Sequence, residues 1–152
     1  MNKLLLAELS RITEEEQRIL EGRSGVDQTL YSEGSDFVIT SGKMLKEGRL
    51  IRVRPHTRFV HFPRHTHNYV EMIYMCSGQT THIINKTRLV LQTGELLILN
   101  QHATQEILPA GREDVAVNFI ILPEFFDQTL RMIGAEENQL KDRSRVCFGI
   151  LW

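Results

Sequence analysis

The sequence predicts an all-β core, an antiparallel sandwich or barrel, carrying α-helices at both ends of the chain. Two observations predict it. Between residues 31 and 122, apolar runs of four to eight residues are broken at short intervals by Gly, Pro and Asn, the spacing of closely connected strands. Outside that zone the pattern changes to a helical stripe, over 2–22 and again from Pro123.

The first zone, residues 1–30, reads as a helical arm. Leu4, Leu5, Ala7, Ile12, Ile19 and Leu20 give a partial apolar stripe. Thr13 with Glu16 three residues on is a capping box, in which each residue satisfies the other's exposed amide. Gly22 ends the helix. Such an arm either packs on a partner or lies on the surface.

The second zone, residues 31–122, is the barrel. Its strand candidates are Phe37–Thr40, Leu50–Arg54, Phe59–Phe62, Tyr69–Cys76, Thr80–Ile84, Thr87–Leu91, Leu96–Leu99, Glu106–Leu108 and Val115–Leu122. Asn85-Lys86 is a hairpin turn, because Asn tolerates positive φ, and Gly94 opens another turn. The third zone, 123–152, starts with Pro123, which suits a first helical turn. Phe125, Phe126, Thr129, Leu130 and Ile133 supply its apolar side, and Gly134 is a stop.

Composition narrows the function. Eighteen basic residues face 19 acidic ones, a net charge of -1. That balance offers no basic field to hold a phosphate backbone, so this chain alone is not a strong DNA binder. Two cysteines, Cys76 and Cys147, are too few for a disulfide framework. No stretch reaches the roughly 18 apolar residues of a membrane span. A cytoplasmic protein with no membrane partner is the expectation.

The chemistry-bearing segment is His65-Thr66-His67-Asn68-Tyr69-Val70-Glu71. Along one continuous strand, residues two apart share a face. His65, His67, Tyr69 and Glu71 would then converge inside the barrel with Ile73 and Met75. Two imidazoles and a carboxylate there form either a hydrogen-bonded polar cluster that binds a ligand or a divalent metal site.

The run HTHNYVEMIYMCSG resembles the first cupin motif, matching it at His65, His67, Glu71 and Gly78. Tyr69, and the later Gly94-Glu95-Leu96-Leu97-Ile98-Leu99-Asn100, resemble the N-terminal domain of AraC-type transcription regulators. The likeness spans roughly residues 50–130. It implies a cupin double-stranded β-helix, a jelly-roll barrel, that binds a small effector such as a sugar and pairs two copies. The family's fourth metal ligand would fall at Gln105, and Gln is a poor ligand for Zn, Ni or Fe compared with imidazole. No cofactor is therefore expected, the alternative being a weakly held divalent metal on His65, His67 and Glu71.

The expected ligand-binding residues are His65, His67, Tyr69, Glu71, Gln105 and Arg54, and the expected dimerisation residues are Phe125, Phe126, Thr129, Leu130 and Ile133. His56, His61 and His82 read as surface or strand histidines without a special role, and His102 as a loop residue. Arg52, Arg54, Arg58 and Arg64 read as solvated strand faces, unless one grips an anionic effector.

Three functions follow. One is the effector-sensing, homodimerising domain of a bacterial AraC-family regulator. In that family DNA is read by helix-turn-helix units, and the 18 residues after Gly134 are too few for one, so this chain would be an excised or truncated piece. The second is a metal-dependent cupin enzyme, a dioxygenase or sugar isomerase. The third is a pairing domain with a filled barrel that binds nothing.

Overall fold

The computed structural model describes residues 2–22, 25–32 and 37–132. Two short helices open the chain, α1 (Lys3–Leu9) and α2 (Glu14–Leu20). The capping box forms as expected: Glu16 N donates to Thr13 Oγ1 and Thr13 N donates to Glu16 Oε2. A 3-10 turn at Gln28–Leu30, strand β1 (Val38–Ile39) and helix α3 (Ser41–Met44) lead into the barrel. Eight strands follow: β2 (Ile51–Pro55), β3 (Phe62–His67), β4 (Val70–Ser77), β5 (Gln79–Ile84), β6 (Thr87–Gln92), β7 (Leu96–Leu99), β8 (Gln105–Ile107) and β9 (Val115–Ile121). Helix α4 (Pro123–Met132) closes the described part, with Pro123 in its first turn as expected.

The strands form two sheets, ordered β1-β3-β8-β5-β6 and β2-β9-β4-β7. All pairs are antiparallel except β1 with β3. Asn85 and Lys86, at φ 49° and 72°, make the tight β5–β6 hairpin. Gly78, at φ 71°, is required twice over. A Cβ there would collide with Asp114 Oδ1 and lie 3.0 Å from the Glu113 carbonyl oxygen.

Two expectations need correction. Phe59 sits at φ 68°, which bends the chain, so the strand expected at Phe59–Phe62 begins instead at Phe62 and runs on to His67. The segment from His65 to Glu71 is also not one strand. It bends at Asn68 and Tyr69 and passes from one sheet to the other.

Two apolar clusters fill the interior. One gathers Ile73, Met75, Ile84, Leu91, Leu97 and Leu99. The other gathers Tyr31, Ile39, Met44, Phe62, Tyr69 and Ile120. Outside the sheet, Leu6 and Leu9 of α1 pack on Cys76, Val115 and Val117. The N-terminal arm thus lies on its own barrel.

A buried ion pair pins the second helix. Arg58 Nε and Nη2 donate to the two oxygens of Glu16, at 2.7 and 3.0 Å. Arg58 also donates to the carbonyls of Ser10, Arg11 and Arg112. Burial pushes the Glu16 carboxyl up, but hydrogen bonds from Arg58 and Thr13 outweigh it and hold the group below the ordinary carboxylate value. Arg58 is therefore not a solvated strand residue, because its guanidinium is the buried counter-charge of α2.

Candidate polar cavity and mouth of the barrel

The interior faces of the two sheets carry more than apolar side chains. His56, His65, Glu71, His82 and Gln105 are buried among them. A cavity of about 30 Å³ opens beside them, lined by His56, His65, Tyr69, Glu71, Gln105 and Arg54 with further apolar residues. Above it lies a vestibule of about 380 Å³ between α2, α3 and β2. Tyr31, Met44, Arg54, His56 and Thr57 line both spaces. The inner one has room for a water or two, and the outer one for a small organic molecule.

Five of the six expected ligand-binding residues, His65, Tyr69, Glu71, Gln105 and Arg54, line the inner cavity. His67 does not. Burial alternates without a break from His65 to Glu71, but the bend at Asn68 and Tyr69 puts His67 and Glu71 on strands of different sheets. His67 stacks on the Tyr69 ring at 4.7 Å and its Nδ1 is 2.7 Å from the Tyr69 carbonyl. His65, His67 and Glu71 are thus not gathered as a metal-ligand set. Among the described residues, no three His, Cys, Asp or Glu side chains stand where they could hold a metal ion. The imidazole nitrogens of His65 are engaged instead, Nδ1 with the Pro63 carbonyl at 2.8 Å and Nε2 with Gln105 at 3.1 Å. The residues present do not fit the cupin metal.

Two hydrogen-bonded chains cross this region. In the first, Asn118 Nδ2 donates to Glu71 Oε1 at 2.9 Å, and Asn118 Oδ1 faces His56 Nδ1 at 3.0 Å. Asn118 Oδ1 can only accept, so His56 carries its proton on Nδ1 and a lone pair on Nε2. That Nε2 is buried and has no hydrogen-bond partner among the described residues. In the second chain, Gln105 bridges His65 Nε2 and His82 Nδ1, and His82 Nε2 meets Thr80 Oγ1 at 2.8 Å. Gln105 Oε1 accepts from His65 Nε2–H and Gln105 Nε2 donates to His82 Nδ1, which leaves the His82 proton on Nε2 toward Thr80 Oγ1.

Burial decides the charges. It lowers His56 to about 4 and His82 to about 3. It also lowers His65 and His67, and raises Tyr69 and Glu71. His56 and His82, expected as surface or strand histidines without a special role, are both buried, and His82 lies on strand β5. His61 is on the surface, paired with Glu106, and His102 is an exposed loop residue as expected. His56 was legible in principle, because it continues the alternation Arg52, Arg54, His56 along β2. Asn118, a lone amide inside the apolar run of β9, was a second signal.

The mouth is held by Arg54. Its Nη2 lies 3.3 Å from Glu15 Oε2, 3.1 Å from the Tyr31 hydroxyl and 3.0 Å from the Thr57 hydroxyl. Arg52 and Arg64 are exposed as expected. Of the expected dimerisation residues, Phe126 is exposed and Phe125 is half-buried against it, ring centres 5.6 Å apart. The side chains of Thr129 and Leu130, and all of Ile133, fall outside the described residues, as do Gly134 and Cys147. No described helix is long and apolar enough to cross a membrane.

Two sheets with buried polar side chains and a cavity among them define a cupin-type β-barrel. The chain belongs to the family of AraC-like ligand binding domains, whose profile matches residues 47–146. Among solved structures it is similar to the EutQ protein of Clostridium difficile (19% identity, 47% of this chain and 55% of that one, TM-score 0.38). It is also similar to the plu4264 protein of Photorhabdus luminescens (19% identity, 59% and 78%, TM-score 0.43). A third is a cupin-2 domain containing protein of Shewanella frigidimarina (14% identity, 46% and 66%, TM-score 0.37). The chain spans little more than half the length of the EutQ protein. No curated protein matches the chain.

Proposed function

We propose that this chain is the effector-sensing and dimerising domain of a cytoplasmic AraC-family transcription regulator. It captures a small molecule in the barrel mouth and meets DNA through a helix-turn-helix domain that is not part of this sequence. Membership of the ligand-binding family supports the class. The observation that carries the binding role is the unpartnered Nε2 of His56 at the wall shared by cavity and vestibule. A buried acceptor without a donor costs on the order of 1–3 kcal/mol, and a ligand hydroxyl or a water reaching it removes that cost.

The effector acts by population shift. It biases the domain only by binding one arrangement of the N-terminal arm, or of the α4 helix, better than another. Helices α2 and α3 wall the vestibule, so occupancy bears directly on the arm. Phe125 and Phe126 on α4 are the candidates for contact with a second copy, C2 being the commonest soluble symmetry.

The test is a thermal-shift and calorimetric screen of sugars, aromatic acids and aliphatic acids on the whole chain. At 100 times its Kd, a true ligand stabilises by about 2.7 kcal/mol. A hit that His56→Leu abolishes supports the proposal. A screen without any hit leaves only a pairing role and defeats it.

A further inference from the structure

We propose that Arg54, Tyr31 and Thr57 form a receptor for a small-molecule carboxylate, and that Glu15 of α2 occupies that receptor in the effector-free chain. This rests on the reading of the barrel mouth as the effector site and adds the chemical class of the ligand.

Three donors surround the Glu15 carboxylate. One oxygen accepts from the Tyr31 hydroxyl. The other faces Arg54 Nη2 at 3.3 Å and the Thr57 hydroxyl at 3.5 Å. One guanidinium and two hydroxyls converging on two oxygens is the donor set that recognises a carboxylate. Arg54 is held in place from two sides. Its guanidinium carbon lies 5.2 Å from the centre of the Tyr31 ring, and Nη1 rests on Met44 Sδ. Arg54 stands on β2, Thr57 just beyond its end and Tyr31 in the core, whereas Glu15 reaches in from the helix outside.

The two neighbouring acids of α2 behave differently. Glu16 is 1% exposed at its side chain and locked to Arg58, which anchors the helix. Glu15 is 18% exposed, and its side-chain contacts are those to Tyr31, Arg54 and Thr57. Its carboxylate can therefore leave Arg54 by rotation of the side chain while α2 stays docked.

The charge of the vestibule favours an anion. Its walls carry Arg18, Lys43, Arg52 and Arg54 against Glu14 and Glu15. Once Glu15 swings out, the surplus of positive charge grows. An incoming carboxylate exchanges one anion for another at Arg54, so no charge is left buried and unpaired. An amide of the same shape brings no charge and leaves Glu15 where it is.

The test titrates acetate, hexanoate and benzoate, each beside its amide, into the whole chain by calorimetry at neutral pH. A neutral sugar panel runs in parallel. In Glu15→Ala, at least one acid should bind about tenfold tighter than in the wild type, the lower end of what a charge-assisted hydrogen bond contributes. Its amide should not gain, and Arg54→Met should abolish the binding. Glu15→Gln keeps the side-chain length and should show the same gain in weaker form. Equal binding of acid and amide in Glu15→Ala overturns the carboxylate assignment, as does acid binding that Arg54→Met leaves intact. If sugars bind and no acid does, the receptor falls and the effector site stands. If nothing binds to any variant, both fall.

Discussion

Glu71 and Ile73 sit two residues apart on β4, face the same interior and are both buried, yet they live in different surroundings. Ile73 is packed among Met75, Ile84, Leu97 and Leu99, with no polar atom to satisfy. Glu71 meets Asn118 and opens onto the cavity beside His65. The first region follows the rule of close packing, in which buried apolar surface stabilises at about 25 cal/mol per Å². The second goes against it, because burying imidazoles, amides and a carboxyl costs stability even when most of them are paired. A fold that needed only a core would have continued the apolar pattern past Glu71, Asn118 and His56. The proposed binding role gives the polar belt a reason that stability does not.

The contrast can be broken most forcefully in the packed region. Ile73→Ala removes a side chain with no exposed surface, and the expected loss is about 4 kcal/mol in urea unfolding. The variant should nevertheless keep its ligand, once refolded below its midpoint, because Ile73 does not line the cavity.

The next effect is on pH. His56 is held to about 4 in the folded chain and returns to about 6.5 on unfolding. The unfolded state therefore binds the extra proton between those values. Stability is fully present above pH 6.5 and falls as pH drops toward 4, by about 3 kcal/mol for this one residue. His82, held to about 3, acts in the same direction over a wider window. Glu16, lowered by Arg58, adds a loss at the acidic end. Glu71 opposes them: its carboxyl is raised by burial, so protonation relieves the folded state. The His56 share is isolated by comparing urea midpoints of wild type and His56→Leu across this range. The variant should show a shallower slope, and an unchanged slope would mean that His56 is not buried neutral.

A smaller loss is expected at Gln105. Gln105→Leu leaves His65 Nε2 and His82 Nδ1 without their bridge, and about 2 kcal/mol should go. Gln105→His restores the family's residue type. It should not create tight metal binding, because His67 does not line the cavity with His65 and Glu71. The smallest effect is that of chelation. Treatment with EDTA should shift the wild-type melting temperature by less than about 1 °C, since the described residues offer no ligand set. A larger drop would restore the metal reading.

Much of this was legible in the sequence. Each of the nine strand candidates meets a strand, because alternation and turn residues are local signals. The capping box, the Asn85-Lys86 hairpin and the glycine at 78 also depend only on near neighbours. The site was half legible. His65, Tyr69, Glu71 and Gln105, reached through a motif, line the cavity, whereas His67 stacks on Tyr69 away from it, because the chain changes sheets between His67 and Glu71. What stayed hidden joins distant parts of the chain. Arg58 meets Glu16 across 42 residues, and Arg54 meets Glu15 across 39. No local pattern distinguishes those arginines from Arg52 and Arg64, which remain in solvent.

The most direct measurement is a calorimetric titration of the best screening hit into wild type, His56→Leu and Ile73→Ala at one temperature where all three are folded. If the polar belt is a binding wall, the hit binds wild type and Ile73→Ala alike and is lost in His56→Leu. Equal binding to all three would show that the ligand sits elsewhere and that the buried histidines serve the fold alone.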